Sequence, residues 1–230
     1  MRRRFAVASL VGAALVSVAG VGTAAADPAP AVLGGSSGII LNTHEACSLT
    51  AIGYDAAGRL VGLTAGHCAA AGSPVRAEQS LATGVLGTVV FSDLGQDLDY
   101  AVIEFDPAKV APVRTVGQTT IAGVGAPPAP GVPVCSSGRS SGFDCGVVWG
   151  AVGNIIVNQS CSIPGDSGGP VTVGDRLVGM NQGHVTPFGI DMQCVTGAFP
   201  VHSPAYFRPI ADILRAVNAN GGVGAGLRPV

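Results

Sequence analysis

Three segments carry residue types that can do nucleophilic chemistry together: Leu63-Thr64-Ala65-Gly66-His67-Cys68, Asp99-Tyr100-Ala101-Val102-Ile103 and Gly165-Asp166-Ser167-Gly168-Gly169-Pro170. A serine hydroxyl is a weak nucleophile until an imidazole takes its proton. The imidazole in turn needs a carboxylate to fix its tautomer and to stabilise the imidazolium that forms. His67, Asp99 and Ser167 therefore read as base, orienting acid and nucleophile of an acyl transfer. Asp97, two residues before Asp99 on the same face of an extended segment, competes for the role of the acid. Around Ser167 the glycines also have work to do: Gly165 lets the backbone bend so that the amides of Gly165 and Ser167 converge where an oxyanion would develop.

The elements that must position these residues read as strands. Gly38–Leu41, Ala51–Tyr54, Leu60–Leu63, Val85–Val90 and Tyr100–Phe105 are short apolar runs separated by Gly, Asp, Asn and Ser clusters. Val147–Trp149, Asn154–Val157, Val171–Val173 and Arg176–Met180 repeat the style in the second half. Such a pattern predicts a meander or barrel. The Pro- and Gly-rich stretch 126–131 lies on the surface between halves divided near residue 118. One helix is predicted from the neighbourhood of Pro209, with Tyr206, Ile210, Ile213, Leu214 and Val217 on its apolar face. The Gly-rich tail 218–230 is expected to fray.

The amino terminus Met1-Arg2-Arg3-Arg4, the apolar stretch to about Val21 and the small-residue run Thr23-Ala24-Ala25-Ala26 form an export signal over residues 1–26. No stable membrane association is expected once it is removed. Without those residues, nine basic side chains face fourteen acidic ones, a formal charge of −5, which argues against a nucleic-acid partner. Six cysteines in an exported chain imply three disulfides, with fifteen connectivities open. Their spacing fits no standard zinc pattern and the four histidines are scattered, so neither metal nor cofactor is expected. Asn158-Gln159-Ser160 forms a glycosylation sequon, expected to be unused.

Gly165-Asp166-Ser167-Gly168-Gly169 also satisfies the G-x-S-x-G pattern of α/β-hydrolases, with Asp191 and His202 in that fold's order. That pattern needs a helix after the nucleophile. Pro170 and Val171–Val178 read as a hairpin instead, and too little chain follows for the remaining elements.

On these motifs, and on their order His, Asp, Ser, the chain resembles the chymotrypsin superfamily of serine proteases, and more narrowly the bacterial streptogrisin and α-lytic type. The resemblance implies an all-β fold: two antiparallel Greek-key β-barrels with the active site in the cleft between them, plus a C-terminal helix. It divides the chain into 27–118, a first barrel with a short pro-segment (His67, Asp99); 119–205, a second barrel (Ser167); the helix 206–217; and the tail. It favours Asp99 over Asp97, since the acid stands immediately before an apolar strand. By the same resemblance Cys47 pairs with Cys68, Cys135 with Cys145 and Cys161 with Cys194, and Arg139 forms an ion pair with Asp166. Gly165 and Ser167 supply the oxyanion hole. Ser162, Gln182, Gly183 and His184 line the substrate pocket. The implied protein is a secreted, monomeric serine endopeptidase acting on proteins or peptides.

Three departures stand out. Only Asp27 to about Val32 separates the signal from the start Leu33-Gly34-Gly35, too short for a propeptide that assists folding. The segment Cys145–Cys161 is short, as though part of a hairpin were missing. Gln182 stands where the family has a serine that touches the catalytic acid, and His184 where it has a glycine at the pocket mouth. These two substitutions leave open a protease fold used as a secreted binding protein.

Overall fold

The computed structural model describes residues 28–42, 45–195 and 201–230. The predicted signal 1–26 lies outside them. The chain runs through β1 (Ala31–Leu33), β2 (Gly38–Leu41), β3 (Glu45–Ser48), β4 (Ala51–Tyr54), β5 (Leu60–Ala65), β6 (Pro74–Ala77), β7 (Gly87–Ser92) and β8 (Tyr100–Phe105). Four short strands follow: β9 (Val110–Pro112), β10 (Thr115–Val116), β11 (Thr119–Thr120) and β12 (Gly123–Val124). The second half holds β13 (Pro133–Gly138), β14 (Gly142–Val152), β15 (Ile155–Asn158), β16 (Pro170–Val173), β17 (Arg176–His184) and β18 (Ala205–Pro209), then α1 (Ile210–Asn220) and β19 (Arg228–Pro229).

Two sheets result. The first has the order β19-β4-β5-β8-β7-β6-β2-β3. Its central strand β5 is buried at every residue, as a strand covered on both faces must be, and reads Leu-Val-Gly-Leu-Thr-Ala. The second runs β12-β17-β16-β13-β14-β15-β18 and closes on itself, because β18 pairs with β17 as well as with β15. The fold is thus a closed six-stranded barrel beside an open, half-barrel sheet. The open edge at β3 is not left bare: the Ser48 N–H donates to the carbonyl of Ser167, 2.8 Å away, so the edge is covered by the loop that carries the serine.

Each sheet has its own packing. Ile39, Leu41, Leu63, Val89 and Ile103 fill the first, and the same cluster extends to Ile210, Ile213 and Val217 of α1. Val134, Val148, Ile156, Val171, Val178 and Phe207 fill the second barrel. Gly179 lies flat against the Phe207 ring, where any β-carbon would collide with it.

Two sequence expectations change here. Tyr206 belongs to β18, not to the helix, whose extent is Ile210–Asn220; pairing with β15 and β17 closes the barrel and overrides the helical spacing, and Pro209 marks the switch. The tail does not fray. Gly224 N–H donates to Asp55 Oδ2 (3.1 Å), Gly226 N–H to Asn218 Oδ1 (2.7 Å), and β19 pairs with β4, so backbone bonds hold what its composition alone would leave loose. The segment Ala31–Leu33, where the expected short pro-segment meets the start of the barrel, is held against the folded body: β1 pairs with β9, and Ala31 and Leu33 are buried. Within the short segment Cys145–Cys161, β14 and β15 form a hairpin that turns tightly at residues 153–154, with a bulge near Gly150.

Candidate active site

His67 lies in the single turn Gly66–Cys68 directly after β5. Gly66 is required there, since a β-carbon would press on the Asp93 carboxylate and the Tyr100 backbone. Asp99 directly precedes β8 and holds a left-handed backbone, φ 57°. Its Oδ1 accepts the backbone N–H of His67 at 2.7 Å, and its Oδ2 stands 2.7 Å from the ring Nδ1. Asp99, rather than Asp97, is therefore the carboxylate that meets the imidazole. One residue that sequence reasoning missed supports this turn: Asp93 accepts the N–H groups of Asp99 (2.7 Å), Gly95 (3.0 Å) and Tyr100 (3.1 Å). It stands six residues upstream with no motif to mark it.

The electrostatics follow from that geometry. The hydrogen bond to Asp99 raises the His67 pKa against the opposing effect of partial burial. Burial pushes the Asp99 carboxyl upward, yet its pKa is lowered, because the His67 ring and backbone N–H and the nearby Arg208 charge favour the carboxylate.

Ser167 follows a tight turn. Asp166 N–H donates to Ile163 O at 3.0 Å, with Pro164 and Gly165 (φ 99°) at the two central positions, the residue order of a type II turn. A β-carbon on Gly165 would strike the Ser140 hydroxyl. Gly168 packs against Thr64 and the Ala65 backbone, which brings the serine loop against the strand that leads to His67. Among the described residues, the N–H groups of Gly165 and Ser167 and the Ser167 hydroxyl have no hydrogen-bond partner.

The proposed Arg139–Asp166 pair is not formed. The buried Asp166 carboxylate accepts three backbone N–H groups, from Ser140, Ser141 and Ile163, each at 2.9 Å. Amides directed at a carboxylate satisfy its charge without a counter-ion. Arg139 turns instead to Glu78, bonding it through both Nε and Nη2. No local signal in the sequence links residues 61 apart.

The pocket residues divide. Ser162 is buried and accepts a hydrogen bond from Asn181 Nδ2 at 2.9 Å, and Asn181 also reaches Asp166 O at 3.2 Å. Gln182 is buried, and its amide donates from Nε2 to the backbone carbonyl of Asp99, 2.9 Å away. The longer side chain thereby reaches the residue that the expected serine would touch. Gly183 adopts φ 150° beside the Tyr206 ring. His184 Nε2 pairs with Asp191 Oδ1 at 3.0 Å. The disulfides are Cys47–Cys68, Cys135–Cys145 and Cys161–Cys194, the pairing that the resemblance implied. The first ties β3 to the His67 turn, the second closes the hairpin whose tip holds Asp166, and the third anchors the start of the serine loop. No cluster of His, Cys, Asp and Glu suited to a metal occurs among the described residues.

No family model matches the chain. Solved structures do. Thermobifida fusca protease A is 23% identical with a TM-score of 0.64, over 81% of this chain and 96% of that one. Nocardiopsis protease is 22% identical with a TM-score of 0.65, over 82% and 97%. Cellulomonas bogoriensis chymotrypsin is 25% identical with a TM-score of 0.63, over 86% and 98%. The fold is that of the chymotrypsin-like serine proteases. These three structural neighbours are bacterial enzymes of that superfamily.

Proposed function

We propose that the protein is a secreted serine endopeptidase. The observation that carries the reading is the double grip of Asp99 on His67, by backbone N–H and by Nδ1, beside a serine loop that leaves two amides without partners. Holding Nδ1 fixes the tautomer and leaves Nε2 as the base. In the reaction, Ser167 Oγ attacks the scissile carbonyl while His67 Nε2 takes its proton. The Gly165 and Ser167 N–H groups receive the oxyanion, and protonated His67 then donates to the leaving amine. Water repeats the sequence on the acyl-enzyme. Bonds between nucleophile and base commonly tighten only when substrate docks, so an unpaired Ser167 hydroxyl is compatible with this mechanism.

Asp166 needs no liberated amino terminus, because three amides hold it; the oxyanion loop is built without proteolytic activation. Export is supported by the residue 1–26 pattern and by three disulfides, which persist in oxidising compartments. Among the described residues no helix is long and apolar enough to cross a membrane.

The first test is reaction with diisopropyl fluorophosphate. Stoichiometric labelling at Ser167, abolished in Ser167→Ala, supports the enzyme. An unreactive, folded chain would favour the binding-protein reading, which the His184–Asp191 pair at the pocket mouth keeps in play.

A further inference from the structure

We propose that Ser48 is a positioning residue for the oxyanion loop, a role that rests on the acyl-transfer reading above. Ser48 ends β3, on the first sheet, and is fully buried. Its hydroxyl accepts the N–H of Arg139 at 2.9 Å, so its single hydrogen is committed to the acceptor on the other side, the Gly165 carbonyl, also at 2.9 Å. Its own N–H donates to the Ser167 carbonyl at 2.8 Å. One residue thus holds the carbonyls of both residues whose N–H groups are free.

Ser48 is equally tied to the base. Its carbonyl accepts from the Thr64 hydroxyl at 2.9 Å, on the strand that leads into the His67 turn. Its neighbour Cys47 is bonded to Cys68, the neighbour of His67. The arrangement gives the two sheets a common reference point: one side of Ser48 is fastened to the segment of the base, the other to the loop of nucleophile and oxyanion donors. Arg139, whose N–H orients the hydroxyl, is itself moored to Glu78 of the first half. Removing the hydroxyl leaves the half-buried Gly165 O and Arg139 N–H without the partner that Ser48 gave each of them, and the loop restores those bonds only by moving. Misplacing amides that must face a developing charge costs rate rather than ground-state affinity.

The experiment compares wild type, Ser48→Ala and Ser48→Cys with two probes that need no side-chain pocket, diisopropyl fluorophosphate and p-nitrophenyl acetate. With the first, the Ser167 O–P bond forms, the P–F bond breaks, fluoride leaves and His67 takes the serine proton. With the second, the O–acyl bond forms as p-nitrophenolate departs. In Ser48→Ala both acylation constants should fall by about tenfold to a hundredfold, less than the loss of an oxyanion donor itself. The pH midpoint of the acid limb should stay at its wild-type value, because the His67–Asp99 contact is untouched. Acylation within twofold of wild type, or a loss accompanied by a shifted midpoint, overturns the proposal. The second result would mean that Ser48 acts through the histidine. Ser48→Cys keeps the shape with a weaker donor and should fall between the two; it decides the matter if the alanine variant does not fold, and wild-type rates there also overturn the role. A wild type that reacts with neither probe sinks the acyl-transfer reading, and this role with it.

Discussion

At the residue scale, the proposed acyl transfer requires three side chains to act as one. Ser167→Ala and His67→Ala should each lower peptide turnover by several orders of magnitude, and the double variant should be little worse than either, because a base without a nucleophile contributes nothing. Additive losses in steady-state kinetics would show that the two do not cooperate. The pH dependence has a definite sign. Catalysis needs neutral His67, so the rate rises as pH passes upward through its pKa, which the Asp99 hydrogen bond lifts above the ordinary histidine value. Asp99→Asn removes that lift and the control of the tautomer. The acid limb of kcat/KM should move to lower pH while the maximum falls by about 10⁴-fold. A limb that stays in place after the substitution would mean that Asp99 does not set the histidine's ionisation.

At the scale of elements, the β13–β14 hairpin and the end of β17 carry separate predictions. The hairpin presents the amides of Ser140 and Ser141 to Asp166 and is closed by Cys135–Cys145. Replacing both cysteines by alanine should cost about 2–3 kcal/mol of stability, toward the low end for so short a loop. It should also reduce acylation of the folded fraction, measured against active-site titration. Full specific activity in the folded fraction would show that the disulfide is not needed to hold the loop. Six residues before Ser167, Cys161 is taken up in a disulfide and followed by the neutral Ser162 and Ile163, so a basic P1 residue would be buried without a counter-charge there and should be poorly cleaved. His184, held by Asp191, should crowd a large aromatic P1. Across a P1 series of Ala, Phe, Glu and Arg, His184→Gly should improve Phe most. Efficient cleavage after Phe by wild type, unchanged in the variant, would show that His184 does not shape the pocket.

At the scale of the whole molecule, the site straddles two sheets, with His67 and Asp99 on one and Ser167 on the other. Glu78 and Arg139 join those halves, and the pairing lowers the Glu78 pKa against an opposing effect of burial. A depressed carboxyl contributes stability above its unfolded-state pKa and loses it as pH falls through the folded value. Glu78→Gln should therefore destabilise the protein near neutrality and converge on wild type in acid. Urea titrations at pH 7 and at pH 3 measure the two differences; an equal loss at both would mean that the contact is steric rather than ionic.

The local motifs around His67, Asp99 and Ser167 were legible in the sequence because each chemical role demands a residue type in a fixed backbone setting, and glycines such as Gly66 and Gly165 betray the tight approaches. Strand periodicity was legible for the same local reason. What stayed hidden were contacts between distant residues. Arg139 chose Glu78 over Asp166 because three amides had already satisfied the latter, an outcome that depends on how a hairpin tip meets a loop. Tyr206 reads as part of a helical face but closes a barrel, since two neighbouring strands offered it hydrogen bonds that a helix could not match. Ser48 carries no motif at all. Chain-local chemistry is written in spacing, whereas the partners of a buried polar group are decided only when the tertiary structure has chosen which donors and acceptors are left to meet.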